Sequence, residues 1–330
     1  MRTLPAAAVR RVLLPLAALA LSACAAPAPA PTSPSASLDP TACGPPPPAA
    51  PSGWPQASAE IVPIIVSSER AVGRNRFLLS LADSENELIA SPDLPVTLSF
   101  FDLTTAPDRP SSAAQDASFL WSVEGEAGLY RASVDFPCSG PWGAEVTALP
   151  EGGSPQTARV VFDVLPAGST PPLEAPAPAA VTPTAADAAT AARTISTDDD
   201  PDPDFYRQSL DQALEGDEPV VLVFATPAFC ATRVCGPTLD IAKDVAADYK
   251  DTASFVHAEP YELHLVDGAL QPVLDANGVP QLTEAARAYG LPVEPYVFVI
   301  DADDRVAAKF EGVAGEDELR AALDEVTSGG

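Results

Sequence analysis

The stretch Val220–Asp240 reads VVLVFATPAFCATRVCGPTLD. The apolar run Pro219–Ala225, rich in β-branched residues, reads as a buried strand. It ends in a tight loop that carries Cys230 and Cys235, and a helical pattern comes directly after it, with Leu239, Ala242, Val245, Ala246 and Tyr249 on one face. A strand that delivers a cysteine to a helix start is a way to make a reactive thiol. Unpaired N–H groups and a partial positive charge at the helix N-terminus stabilise the thiolate.

The surrounding sequence extends this pattern from Asp204 to Val326. Phe205–Leu214 is expected to be a helix, capped by Asp202 or Asp204, and Ser254–His257 a second strand. Tyr261–Gln281 is irregular, and Leu282–Tyr289 is again helical. Tyr296–Asp301 and Arg305–Phe310 form a hairpin across Ala302-Asp303-Asp304, and Glu316–Val326 is an amphipathic helix. Pro295 opens the first strand of that hairpin within YGLPVEPYVFVID, Tyr289–Asp301. This order, with two cysteines after the first central strand and a proline opening the hairpin, resembles the thioredoxin fold.

The resemblance implies roles. Cys230 is the nucleophile, Cys235 resolves the mixed disulfide, and Pro295 is the cis-proline beside them. Glu294 presents its backbone to a substrate strand, and Phe229 takes the place of the aromatic that precedes the nucleophile. In this chain's own loop, Arg233 is the only cation and would favour a Cys230 thiolate, whereas Glu294, if close, would oppose it. Two features depart from the family. Four residues, Ala231 to Val234, separate the cysteines instead of two, and Val221-Leu222-Val223 offers no buried acid on the first central strand. The expected activity is thiol-disulfide exchange with envelope protein thiols or disulfides and a separate redox partner, without a bound cofactor.

Other readings stay open. The loop is similar to the peroxiredoxin subgroup with four residues between its cysteines. That family's Thr and Pro, three and seven residues before the nucleophile, are replaced here by Pro227 and Val223. Copper-handling Sco proteins use two cysteines and a later histidine. Here the histidines are His257 and His264, and no metal site is expected. The Cys230–Cys235 pair also suits a structural bridge in a non-enzymatic binding module.

The chain begins with Arg2, Arg10 and Arg11 ahead of an apolar stretch, Val12–Leu21, and then Leu21-Ser22-Ala23-Cys24. This is similar to a bacterial lipobox, which implies a signal peptide over residues 1–23 and lipidation of Cys24. The protein is therefore expected to be tethered by lipid to the cell membrane on its extracytoplasmic side, where disulfides persist. Residues 24–57 are rich in Pro, Ala and Ser and read as a stalk.

From residue 58 to 166 the pattern is all-β. Ile61–Val66, Arg76–Ala82, Val96–Asp102, Ser118–Val123, Gly128–Asp135, Ala144–Ala148 and Arg159–Leu165 are short strand-like runs separated by turn residues. They predict an antiparallel sandwich. Gly73–Ile89, GRNRFLLSLADSENELI, resembles the opening hairpin of Ig-like modules in bacterial envelope proteins of the YtkA and FixH type. Trp54, Trp121 and Trp142 are expected to pack in or around its core.

Residues 167–203 form a Pro/Ala/Asp linker ahead of the last domain, 204–330. Its acidic run, Asp198 to Asp204, lacks the glycine turn and final glutamate of a calcium loop and reads as a solvated spacer. Once Cys24 is assigned to lipid, four of the five cysteines remain. The close spacing of Cys230 and Cys235 pairs them, which leaves Cys43 with Cys138. A net charge of −28, with Lys243, Lys250 and Lys309 the only lysines, argues against nucleic acid as a partner.

Overall fold

The computed structural model describes residues 41–45, 49–56, 58, 60–185 and 192–328. Cys24 and the signal and lipidation motifs lie outside them. Among the described residues no helix is long and apolar enough to cross a membrane. The chain is β-rich, with several antiparallel sheets.

In the N-terminal part, β1 (Val62–Ile65), β2 (Gly73–Ala82), β3 (Leu88–Ile89), β6 (Ser118–Val123) and β7 (Ala127–Phe136) form one antiparallel sheet. The second is built by β4 (Val96–Asp102), β5 (Gln115–Asp116), β8 (Gly140–Ala148) and β9 (Gln156–Val164). Alternate side chains of both sheets meet in one core, including Phe77, Leu79, Phe100, Phe136, Trp142 and Phe162. Trp142 is fully buried and its indole N–H donates to the Cys138 carbonyl at 3.1 Å. Trp54 packs on Phe101 and Trp121 edge-on to Phe119. A disulfide joins Cys43 to Cys138, and Ala42 pairs with Ser139 beside it, so the end of the segment read as a stalk is pinned to the sandwich.

In the C-terminal part, β10 (Val220–Phe224) runs parallel to β11 (Ser254–Ala258) and antiparallel to β14 (Tyr296–Ile300). β14 turns back into β15 (Val306–Glu311). The strands are joined or flanked by α1 (Leu210–Leu214), α2 (Cys235–Tyr249), α3 (Glu284–Ala288) and α4 (Glu316–Thr327). Every residue of β10 and β14 is buried, because side chains from both faces enter separate cores.

Two segments differ from the expectation. The helix expected over Phe205–Leu214 is a 3-10 turn, Pro203–Tyr206, followed by α1. Ser209 breaks it: its backbone N–H donates to Gln212 Oε1 at 3.1 Å, which starts a new helix. The segment 261–281 contains a hairpin of β12 (Leu263–Val266) and β13 (Ala269–Pro272). Its turn is Asp267-Gly268, both at positive φ, which is the geometry that an Asp-Gly pair favours.

Much of the segment read as a linker lies along the C-terminal part. The Glu174 N–H donates to the Val306 carbonyl, and the Val306 N–H to Ala175, which sets a turn and a single bridge, Pro176 to Arg305, beside the start of β15. Thr182 Oγ1 accepts from the Leu210 N–H at 2.9 Å. Ala/Pro composition cannot build its own core, but it can lie against one that is already present.

The two parts are joined through polar and apolar contacts. Arg76 on β2 donates to both Glu318 oxygens, at 2.7 and 2.6 Å, and to the carbonyls of Glu311 and Val313. Arg131 pairs with Glu318 and Asp317. Glu69 accepts from Ser169, Thr170 and Lys309. Leu78, Leu120 and Leu129 of the sandwich bury against Val234 and Val313.

Burial alone would raise the Glu318 pKa, but bonding to Arg76 and the charges of Arg76 and Arg131 outweigh it, so the value is lowered from 4.5. A depressed carboxylate pKa contributes stability that is complete above the unfolded value and is lost as pH falls through the folded one. Glu318→Gln should therefore destabilise the protein by about 3 kcal/mol near neutrality, since it leaves the shielded Arg76 without a carboxylate partner and Arg131 with Asp317 alone. Its loss of stability below about pH 4.5 should be shallower than in the parent chain, as read by denaturant unfolding. Replacing Cys43 and Cys138 by serine should cost about 2–5 kcal/mol in the same assay, because the bridge closes a long loop.

Candidate functional site

β10 delivers its C-terminal end to the same edge of the sheet at which β11 ends and β14 begins. Phe224 stands opposite Ala258 on one side and Tyr296 on the other. Three segments therefore gather at this edge. The cysteine loop leaves β10, Glu259 leaves β11, and the Glu294–Pro295 bond, which is cis, leads into β14.

The loop turns at Thr226–Phe229, where the Phe229 N–H donates to the Thr226 carbonyl at 3.1 Å. Cys230 is half-buried, as is Phe229 before it, and Cys235 is fully buried as the first residue of α2. The two are disulfide-bonded, with Cα atoms 6.0 Å apart. The Cys235 N–H donates to Cys230 Sγ at 3.3 Å, and Thr232 Oγ1 lies 3.3 Å from the same sulfur. The four intervening residues close because Arg233 adopts a left-handed φ of 64°. That turn brings the exposed Arg233 guanidinium to 3.9 Å from the Glu126 carboxylate of the sandwich.

On the opposite side, Glu294 is half-buried and Glu294 Oε2 accepts from the Tyr261 hydroxyl at 2.9 Å. Burial and this carboxylate together raise the Tyr261 pKa, so it stays a neutral donor. Tyr261 opens the inserted segment, so that segment holds the residue preceding Pro295.

Behind the loop is a buried polar layer. His257 Nε2 donates to the Ala225 carbonyl at 2.9 Å, which leaves Nδ1 to accept from the Tyr206 hydroxyl at 2.7 Å. Ser196 Oγ lies 2.9 Å from that hydroxyl. Desolvation lowers the His257 pKa, against the opposing pull of Glu259, of the Ala225 bond and of Asp198. Both ring nitrogens are engaged, so His257 is a strut and not a free metal ligand. His264 is exposed on β12. In the acidic run, Asp198 is paired with Lys243 at 2.9 Å. The one group of potential metal donors among the described residues, Cys43, Asp102 and Cys138, includes both sulfurs of a disulfide and offers no thiolate.

Sequence reasoning missed Glu259. It directly follows β11 and is 7% exposed. Glu259 Oε1 accepts from the Thr197 N–H and hydroxyl, and Thr197 Oγ1 accepts from the Ala228 N–H in the cysteine loop. Glu259 Oε2 is buried without a hydrogen-bond partner among the described residues, as are Thr226 Oγ1, at the loop's entry, and Thr238 Oγ1, in the first turn of α2. The only sequence signal was a carboxylate immediately after the strand parallel to β10.

No family model matches the chain, and no curated protein matches it. Among solved structures, the soluble domain of PmoD from Methylocystis sp. ATCC 49242 (Rockwell) is similar over 32% of this chain and 90% of that one. The identity is 19% and the TM-score 0.19, too low to bear on fold or function.

The neutral, Nε2-protonated state of His257 has a measurable consequence. Its pKa is depressed in the fold, so the unfolded chain takes up the proton first. Stability is greatest above the ordinary value of 6.5 and declines as pH falls from there towards the folded pKa. Nitrogen-15 NMR at pH 6.5, the ordinary midpoint of the ring, should show His257 predominantly uncharged with the proton on Nε2. A charged ring in the folded protein would contradict this buried network.

Proposed function

We propose that the chain is a lipid-anchored, extracytoplasmic thiol-disulfide oxidoreductase, with an Ig-like sandwich followed by a thioredoxin-like domain whose working pair is Cys230 and Cys235. The observation that carries this reading is the asymmetry of the pair. One cysteine is half-buried and the other fully buried at a helix start, at the sheet edge where a cis X-Pro bond opens the neighbouring strand.

In the reduced protein, the Cys230 thiolate attacks one sulfur of a substrate disulfide. A mixed disulfide forms and the substrate's other sulfur leaves as a thiolate that takes up a proton. The Cys235 thiolate then attacks Cys230 Sγ. This releases the second substrate thiol and leaves the protein oxidised by two electrons. The Cys235 N–H, already directed at Cys230 Sγ, stabilises the thiolate form of Cys230. Glu259 is the buried carboxylate of this edge, tied to the cysteine loop through Thr197 and the Ala228 N–H, and we assign it the role of taking up the proton that Cys235 gives up. A second reading, a structural bridge stapling α2 to the loop, is favoured by the complete burial of Cys235.

The reduction potential decides between the two. Equilibration in thiol buffers with alkylation and mass counting should place the pair between about −120 and −270 mV, whereas a value below about −300 mV would mark a structural bridge. Cys230→Ser should abolish reduction of a disulfide probe, and Cys235→Ser should accumulate the mixed disulfide. Glu259→Gln should slow release of the second thiol by about tenfold or more while leaving the first step intact.

A further inference from the structure

The sandwich also borders the cysteine loop. Val234, the residue immediately before Cys235, is 8% exposed and sits in a cluster with Leu78, Leu120 and Leu129 of the sandwich. Arg233 reaches the turn between β6 and β7, where it meets Glu126. That turn, Glu124-Gly125-Glu126, is closed by the Glu126 N–H donating to the Val123 carbonyl at 3.0 Å, with Gly125 at φ 72°. Both glutamates are exposed.

We propose that the sandwich is the second wall of the Cys230 site and that its Glu124–Glu126 turn selects polypeptide disulfides flanked by lysine or arginine. The proposal rests on the exchange reading above.

The physical argument is one of distance and sign. Cys230 and Arg233 are three residues apart and the Arg233 side chain spans the remaining gap to Glu126, so the carboxylates of the turn lie within about 20–25 Å of Cys230. The Debye length is about 30 Å at 0.01 M salt, so at low ionic strength a substrate group at Cys230 lies within the field of this turn. Arg233 is the one cation of the loop, and Glu126 pairs with it, which leaves Glu124 on this wall and Glu294 beside Pro295 on the other. An incoming cation is attracted by these carboxylates, and an incoming anion is repelled. The apolar contact of Val234 with the three leucines holds the turn against the loop, so selectivity comes from the sandwich and not from the redox loop alone.

Small disulfides of graded charge test this with the full chain. The protein is reduced, freed of reductant and mixed at low salt with cystamine, bis(2-hydroxyethyl) disulfide or 3,3′-dithiodipropionate. These are a dication, a neutral molecule and a dianion. Each oxidises the Cys230–Cys235 dithiol to the disulfide and is itself reduced to two thiols. Rates are normalised to those of mercaptoethanol with the same probes, to remove intrinsic reactivity. Cystamine should outpace dithiodipropionate by about tenfold, and added salt should compress the ratio. Glu124→Lys with Glu126→Lys should reduce the ratio by about fivefold or more, each charged probe being read against the neutral probe with the same variant. The control, Asp217→Lys with Glu218→Lys, makes the same change of net charge on the loop entering β10, at the strand end away from the cysteines. It should leave the ratio within about twofold of the parent.

A parent chain with no charge preference would overturn the proposal, as would a control that moves the ratio as far as the turn variant does. Failure of the neutral probe to oxidise the reduced parent would overturn the exchange reading itself, and this inference with it. A neutral probe that reacts alongside an unselective parent would overturn the selectivity alone.

Discussion

The structure depends on the burial of one strand on both faces. Val220 to Phe224 are each no more than 1% exposed, with β11 on one side and β14 on the other. Slipping either partner by one residue would exchange the two faces, and each face has its own core, so the register is firmly specified. That register brings the ends of β10 and β11 and the start of β14 to a common edge. The cysteines, Glu259 and Pro295 are neighbours because of it, although up to 65 residues separate Cys230 from Pro295 in the chain.

The same logic joins the two halves of the molecule. Phe77 to Ala82 of β2 are buried without alternation, which a sheet with one solvated face would not allow. Phe77, Leu79 and Leu81 enter the sandwich core, whereas Leu78 turns outward and is covered by Val234 and Val313. Around this apolar contact, Arg76 and Arg131 converge on Glu318, and Arg76 also takes up two backbone carbonyls. A shielded ion pair stabilises little by itself, but a mispaired one is costly, so the cluster sets how the two parts meet.

Behind the cysteine loop, polar groups are divided between fully satisfied and unsatisfied ones. His257, Tyr206 and Ser196 form a closed set that supports the Ala225 carbonyl at the end of β10. Glu259 Oε2, Thr226 Oγ1 and Thr238 Oγ1 are left without partners among the described residues. Buried polar atoms normally find a partner, and exceptions gather where a group has work other than holding the fold. All three lie on the segments that meet at the cysteine loop.

The sequence alone determined the local elements. Short strand-like runs between turn residues marked the strands of the sandwich, and the continuous apolar run Pro219–Ala225 marked a buried strand. The short spacing of Cys230 and Cys235 paired them, and that left Cys43 for Cys138. These features are short-range in the chain, and periodicity and spacing report them directly. The Asp267-Gly268 turn was legible by the same rules, but the irregular stretch around it obscured it. The run Arg76–Ala82 was legible as a strand of the sandwich, but nothing local showed that its outer face would also be covered. Tertiary structure alone decided that the segment after residue 167 would lie along the C-terminal part, that Arg233 would turn to Glu126, and that Glu259 would be buried beside the cysteine loop. Each of these is a contact between groups distant in sequence, and their energies depend on burial and separation, which exist only once the chain has folded.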